Sequence, residues 1–383
     1  MLPQLHQHAW MDADIEAFRD QVRRYVHAEM VPRLPAWRKQ GYIPRDVWRP
    51  FGELGFMLPE LGEEYEGPGA TVAYQLVVQD ELAKAEVPAN TAVHTIAAHY
   101  IMDYGTEEQK RKWLPKMASG EILAGIAMTE PGCGSDLKAV RTRARLDGDH
   151  YVVDGAKTFI TNGYTANLLV LVVRTGEAGA RGVSLLVIET EDLPGFTVGR
   201  RLEKIGMHAS DTAELAFENM RVPAANLLGG EEGRGFAQLM SQLAYERMLL
   251  CVPAAAVIER ALELTVDYTR ERKAFGKAIA DFQNTQFKLA ECATIAHIVR
   301  SFVNDCVQRL LDGKLDPEAA YMAKWWCTEQ QCKVTDECLQ LFGGYGYMDE
   351  YPIARLYADS RIQKIYGGTN EIMKDLIARK VLA

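Results

Sequence analysis

The stretch TRARLDGDHYVVDGAKTFITNG, residues 142–163, decides the fold class of this 383-residue chain. Short runs of β-branched and aromatic residues are broken by two Asp-Gly pairs and a final Asn-Gly. Such runs suit pleated strands, and Asp-Gly marks tight hairpin turns. The segment therefore reads as strand, turn, strand, turn, strand. Runs at 122–127, 168–174, 183–189 and 212–217 extend the pattern. No helical segment alternates with these strands, which favours an antiparallel barrel or sandwich over a parallel α/β sheet.

On both sides the period changes. Ile15, Phe18, Val22, Tyr25, Val26 and Met30 recur at helix spacing, and Pro32 is expected to end that run. Pro44 suits the first turn of a further helix. Asn90 can cap a helix running through His94, Ile96, Tyr100 and Ile101. Thr106 and Gln109 have the spacing of a capping box. From about 233 onward the pattern is again helical, with Pro253 near the middle or start of one segment and Asp316-Pro317 opening another. The expected class is thus α+β multidomain: an N-terminal helical domain (1–121), a central antiparallel β-barrel or sandwich (122–232) and a C-terminal four-helix bundle (233–383).

Composition bounds function. At 48% hydrophobic and 25% charged the chain is of ordinary globular make-up, and a net charge of -9 argues against a general nucleic-acid binder. No apolar run is long enough to span a bilayer. The N-terminus MLPQLHQHAWMDADIEAF lacks the pattern of a signal peptide. Seven scattered cysteines without a C-x-x-C pair read as free thiols in a reducing, cytoplasmic setting. The eight histidines are dispersed, so no metal site is expected.

Several stretches carry possible chemistry. MTEPGCGSDL, 128–137, follows a strand; Gly132 and Gly134 let backbone N–H groups face an anion or planar ligand, or simply make a tight turn. In KTFITNG, 157–163, Phe159 reads as core and Thr158 and Thr161 as ordinary strand residues. LAYERMLLCV, 243–252, sets Glu246 and Arg247 in apolar sequence. Adjacent helix residues do not face each other, so Arg247 is a poor partner for Glu246. Buried, Glu246 would have a raised pKa suited to a general base; otherwise it is part of a polar stripe. RERKAFGKAI, 270–279, is a basic cluster that is either a solvated face or a phosphate holder. Two glycine-rich breaks, at 343–346 and in KIYGGTNEIM, 364–373, interrupt the last helices, either as turns or where backbone must approach something closely.

Taken together and in order, AMTEPGCGSD, KTFITNG, RKAFG, QLFGGYGYMDEYPIARLYAD and GGTNE resemble the acyl-CoA dehydrogenase family of flavoenzymes, over about residues 12–383. The resemblance implies the same three-zone fold. It also implies FAD as cofactor, an acyl-CoA thioester as substrate, a trans-2-enoyl-CoA product, an electron-transfer flavoprotein as electron acceptor and a homo-oligomer, typically a tetramer. Matched residue by residue, Ile126, Ala127, Met128, Thr129, Glu130, Pro131, Gly132, Cys133, Gly134 and Ser135 would hold flavin, Ser135 also touching the CoA arm. Phe159, Ile160 and Thr161 would lie against the ring system; many relatives have tryptophan where Phe159 stands. Arg272 and Gln283, with Gln340, Leu341, Phe342, Gly343 and Gly344, resemble residues that reach the FAD of a neighbouring subunit. Thr369, Asn370 and Glu371 would bind FAD at a helix start.

One departure is informative. Many members carry the catalytic glutamate in Tyr-Glu-Gly-Thr, which here reads Tyr366-Gly367-Gly368-Thr369. The long-chain and isovaleryl branches place that glutamate on a helix of the C-terminal bundle, at the position of Glu246. The resemblance therefore implies Glu246 as base, with Ala244, Tyr245, Arg247, Gly367 and Gly368 around the substrate. YGGTNEIMKDLIAR is most similar to the long-chain branch, implying a medium or long acyl chain. The other readings are an isovaleryl-like short branched-chain dehydrogenase, an acyl-CoA oxidase and a non-catalytic flavin or acyl-CoA binder.

Overall fold

The computed structural model describes residues 10–88 and 90–383, the side chain of Asn90 excepted. The first nine residues of the N-terminal segment read for a signal peptide, and the side chain read as a cap at Asn90, lie outside the described residues.

The first zone is helical: α1 (Ala13–Tyr25), α2 (Leu34–Gln40), α3 (Trp48–Glu53), α4 (Val72–Lys84), α5 (Asn90–Tyr104) and α6 (Glu107–Ala118). Asp12 caps α1 by accepting from the Ile15 N–H at 2.8 Å. Val22 and Val26 face a core with Trp37, Trp48 and Phe51. Pro32 does not end this run. A π-turn (Val26–Met30) and a 3-10 turn (Val31–Arg33) carry the chain directly into α2. Proline lacks only the N–H that a helix start leaves unpaired, so resetting the register there accommodates it. The Thr106 capping box forms, and the Gln109 amide also donates to the carbonyls of Ala225 and Leu227, tying α6 to the end of the sheet.

The second zone is one curled seven-stranded sheet. Its strands are β1 (Ala124–Ala127), β2 (Arg143–Asp147), β3 (His150–Thr161), β4 (Leu168–Arg174), β5 (Val183–Glu189), β6 (Phe196–Arg201) and β7 (Thr212–Pro223). The order is β1-β4-β2-β3-β7-β6, with β5 also on β4. Pairing is mostly antiparallel, but β4 runs parallel to β1 and, at one residue pair, to β2, so the sheet is mixed. The first Asp-Gly is the expected hairpin turn between β2 and β3. The second is not a turn: β3 continues through Asp154-Gly155 as a β-bulge. A Cβ at Gly155 would lie 2.7 Å from the Thr142 Cα, so only glycine permits that approach. Along β4 the alternation sorts two cores. Leu168, Val170 and Val172 face α5 and α6, while Leu169, Leu171 and Val173 fill the inside of the curl.

The third zone holds α7 (Gly235–Ser241), α8 (Leu243–Glu271), a small hairpin of β8 (Lys273–Ala274) and β9 (Lys277–Ala278), α9 (Gln283–Leu311), α10 (Pro317–Phe342), α11 (Pro352–Ser360) and α12 (Asn370–Val381). Pro253 lies inside α8, and Asp316 caps α10. Small residues of α8 (Ala254, Ala255, Ala261) let α9 and α10 approach closely through Val299, Val303, Ala323 and Cys327. Leu76 of α4 joins the same core, so the first zone packs directly on α8. Among the described residues no helix is long and apolar enough to cross a membrane.

Candidate active site

Glu246 sits in the first turn of α8 and is 9% exposed. Its Oε1 accepts a hydrogen bond from the Tyr100 hydroxyl of α5. Burial pushes the carboxyl up to about 7, against the opposing effects of the Tyr100 hydrogen bond and the nearby Arg247 and His99. Among the described residues no hydrogen bond engages Oε2. Arg247 points away, as helix geometry requires, and lies over the Tyr321 ring with its carbon 4.4 Å from the ring centre. His99 stacks on Tyr245 at 4.3 Å, and its Nε2 lies 2.9 Å from the Glu60 carboxylate. Tyr245 is buried and donates to the same Glu60 oxygen; Ala244 is half-buried at the helix start.

The glycine break is built against this helix. Gly367 and Gly368 have φ of 62° and 87°, a region that L side chains avoid. A Cβ at Gly367 would stand 2.3 Å from Cδ1 of Leu250, one turn beyond Glu246 on α8. Tertiary packing thus brings the exposed Gly367 backbone beside the turn carrying the carboxylate. The buried Lys324 anchors the break by donating to the Gly368 carbonyl at 2.6 Å and to Asn370 Oδ1 at 3.0 Å. Burial pulls the Lys324 amine down to about 8. Asn370 also accepts from Thr328 and donates to Glu329, so its amide is committed inside the bundle. Thr369 caps α12, and Glu371 stays exposed in its first turn. Gly367→Ala should lower stability by about 1–2 kcal/mol through its positive φ. Urea unfolding of Gly367→Ala with and without Leu250→Ala checks this, the second change relieving only the clash.

The 126–135 loop divides by role. Ala127 is buried at the end of β1, with Ile126, Met128 and Thr129 half-buried. The Glu130 carboxylate is turned inward and accepts from the Arg141 and Thr142 N–H groups and from the buried Lys157. Lys157 also holds the Met128 carbonyl, and the Thr158 N–H bonds the Thr129 carbonyl. These bonds strap the loop onto β3. Cys133 is buried, whereas Pro131, Gly132, Gly134 and Ser135 form an open lip, with nothing within 4 Å of a Cβ built on either glycine.

Phe159 does not join the core. It is 67% exposed, with φ of 59°, at the bulge where β3 slips against β7. A large ring displayed on an unfavourable backbone conformation indicates a binding surface. Ile160 turns into the sheet core, and Thr161 is half-buried. A cavity of about 590 Å³ lies elsewhere, at the end of α8 and α10. Arg272, Gln340, Leu341, Phe342, Gly343 and Gly344 line it, together with Tyr268, Ile279, Tyr345 and Met348. Gln283, exposed at the start of α9, is not in that lining. None of the lining residues belongs to the loop or to the Phe159 bulge, so the two surfaces share no residue. The open lip and displayed ring suit a planar, phosphate-bearing group, as does the cavity with its arginine and glycine backbone. Tyr100, Lys324 and Lys157 gave no signal in the sequence beyond their places in helix and strand patterns.

Three family models match: "Acyl-CoA dehydrogenase, N-terminal domain" over residues 12–121, "middle domain" over 125–220 and "C-terminal domain" over 233–382. The long-chain specific acyl-CoA dehydrogenase of Mus musculus is 43% identical over 373 residues, 96% of this chain and 86% of that protein. The isobutyryl-CoA dehydrogenase of Dictyostelium discoideum is 37% identical, covering 96% of this chain and 89% of that protein. The crystal structure of an acyl-CoA dehydrogenase from Geobacillus kaustophilus superposes with a TM-score of 0.94 at 47% identity, covering 98% of this chain and 99% of that one.

Proposed function

The chain belongs to the acyl-CoA dehydrogenase family, an FAD-dependent family of oxidoreductases, and from that premise we propose that it converts a medium- or long-chain acyl-CoA to the trans-2-enoyl-CoA with Glu246 as the base. The buried carboxylate poised near neutrality beside the Gly367 turn carries this reading. FAD, when bound, supplies the acceptor for the β-hydride, chemistry that no side chain offers. The lip at Gly132–Ser135, Phe159 and Thr161 would hold it on one side. Arg272, Gln283 and 340–344 would reach it from a second copy, as the family resemblance implies.

The protein's own contribution is proton removal. Glu246 Oε2 takes the α-proton as the Cα–H bond breaks. The bonding pair moves toward the thioester carbonyl, whose developing oxyanion the Gly367 N–H would meet. Glycine at 367 keeps that N–H and leaves room for a carboxylate arriving from α8. We further assign a homotetramer, an electron-transfer flavoprotein as electron acceptor, a cytoplasmic setting in keeping with seven free thiols, and domain boundaries at 121/122 and 232/233. The higher identity to long-chain than to isobutyryl relatives supports the longer acyl chain.

The test is anaerobic bleaching of the yellow holoenzyme by straight-chain thioesters from butyryl-CoA to stearoyl-CoA, alongside isovaleryl-CoA. Best bleaching by isovaleryl-CoA would replace the chain-length assignment, and no bleaching by any thioester would replace the activity. The rate should also depend on pH. A carboxyl at about 7 is mostly protonated below that value and unable to act as base. Bleaching under saturating substrate should therefore rise about tenfold per pH unit below 7 and level off above it. Stopped-flow reduction from pH 5.5 to pH 9, on the order of seven points, measures the curve.

A further inference from the structure

Glu246 and Tyr100 stand 146 positions apart in sequence, on helices of different zones. Tyr100 is fully buried, and its hydroxyl has Glu246 Oε1 as its hydrogen-bond partner. The other groups facing this carboxylate make their contacts elsewhere, although Arg247 keeps Nε and Nη1 without a hydrogen-bond partner among the described residues. On α8, Arg247 lies over Tyr321 of α10. On α5, His99 is held by Glu60 and by the face of Tyr245. Lys324 of α10 is committed to Gly368 and Asn370. Among the described residues, Tyr100 alone donates a hydrogen bond to the Glu246 side chain.

We propose that Tyr100 is the positioning residue of the proton transfer: its hydroxyl pins Oε1, leaves Oε2 as the accepting oxygen and steadies the carboxylate anion at working pH. The proposal rests on the reading of Glu246 as base. Its geometry suits both sides of the reaction. Before transfer the hydroxyl donates to a carboxylate, a strong charge-assisted bond. After transfer the proton is on Oε2, and Oε1 is a carbonyl that still accepts from the same hydroxyl. Tyr100 neither gains nor loses a proton, and no side chain has to turn. Burial and the adjacent carboxylate push the Tyr100 phenol well above its ordinary range, so it remains a donor across the assay range. A pinned Oε1 also restricts the rotation of a carboxylate that, among the described residues, no other hydrogen bond holds, a form of preorganisation.

The experiment follows α-proton exchange into D2O from 3-thiaoctanoyl-CoA, bound to holoenzyme and read by mass spectrometry. That thioester has sulfur at the β-position and cannot lose a hydride there, so exchange reports proton removal alone. Tyr100→Phe deletes only the hydroxyl. Its exchange-rate profile should move up by about one pH unit or more, a roughly fivefold or greater loss at pH 7, approaching tenfold at lower pH, that largely recovers at high pH. Replacing Tyr100 with 3,5-difluorotyrosine makes the phenol a stronger donor and should move the profile the opposite way. Packing loss alone would not reverse sign between these variants. Profiles that superpose on wild type, or rates lowered equally at every pH, would overturn the assignment. Exchange that persists in Glu246→Gln would instead remove the base itself, a failure distinguishable from that of Tyr100. Should Tyr100→Phe fail to fold, the fluorotyrosine profile decides: a downward shift supports the proposal and no shift ends it.

Discussion

Glu246→Gln should fold, bind FAD and stay yellow, yet lose bleaching by acyl-CoA by a factor on the order of 10³ or more, the scale expected when a general base acting in the transition state is removed. The amide is nearly isosteric and can still accept from the Tyr100 hydroxyl through its carbonyl, so the local packing survives. It has no basic oxygen for the α-proton. Stability supplies an independent check with a definite sign. The folded carboxyl titrates at about 7, above the 4.5 of an unperturbed glutamate. Its folded form is therefore favoured when protonated, and stability falls as pH rises from 4.5 through 7. Glutamine never ionises, so Glu246→Gln should gain thermal stability over wild type at pH 8 and little at pH 4.5. Calorimetry at the two pH values reads the difference. Substantial bleaching by the variant would show that another group removes the proton.

The second large effect concerns stability. Arg300 of α9 donates to Asp80 of α4 at 2.8 Å and to Glu259 of α8 at 2.6 and 2.8 Å, with Lys84 completing the cluster. All four sit between the first zone and the bundle. Burial alone would raise the Asp80 carboxyl, but Arg300 and Lys84 hold it well below its ordinary range. Arg300→Met removes the central cation and leaves two carboxylates sharing one lysine in a low-dielectric seam. Breaking a buried pair from one side costs about 3–5 kcal/mol. Urea unfolding at pH 7 should show that loss, with the seam between α4 and α8 opening first in hydrogen exchange. A change below about 1 kcal/mol would mean that water already solvates the cluster.

Much of this was legible locally. The strand-turn code of 142–163 set the class of the middle zone, and the capping box at Thr106 set a helix start. The misreadings were also local. Asp154-Gly155 looks like a second hairpin turn, yet a bulge uses the same glycine for close approach to Thr142. Phe159 looks like core because aromatic residues in strands usually are; only the slip between β3 and β7 turns it outward. Pro32 looks like a stop, yet a π-turn before it and the 3-10 turn that holds it carry the chain on into α2.

The site divides in the same way. Glu246 in apolar text, and the paired glycines at 367 and 368, could be picked out residue by residue, and the family resemblance gave them roles. By itself the sequence determined the three zones, the helix carrying the carboxylate and the positions where backbone must bend without a side chain, since period, capping and glycine conformation act over a few residues. Tertiary structure alone decided that Tyr100 bonds Glu246 across 146 positions, that Lys324 bonds Asn370 Oδ1 and the Gly368 carbonyl, and that the Gly367 turn lies on Leu250 one turn from the base. Those depend on which helix faces meet, and burial, which raises the carboxyl into its working range, exists only once they have met.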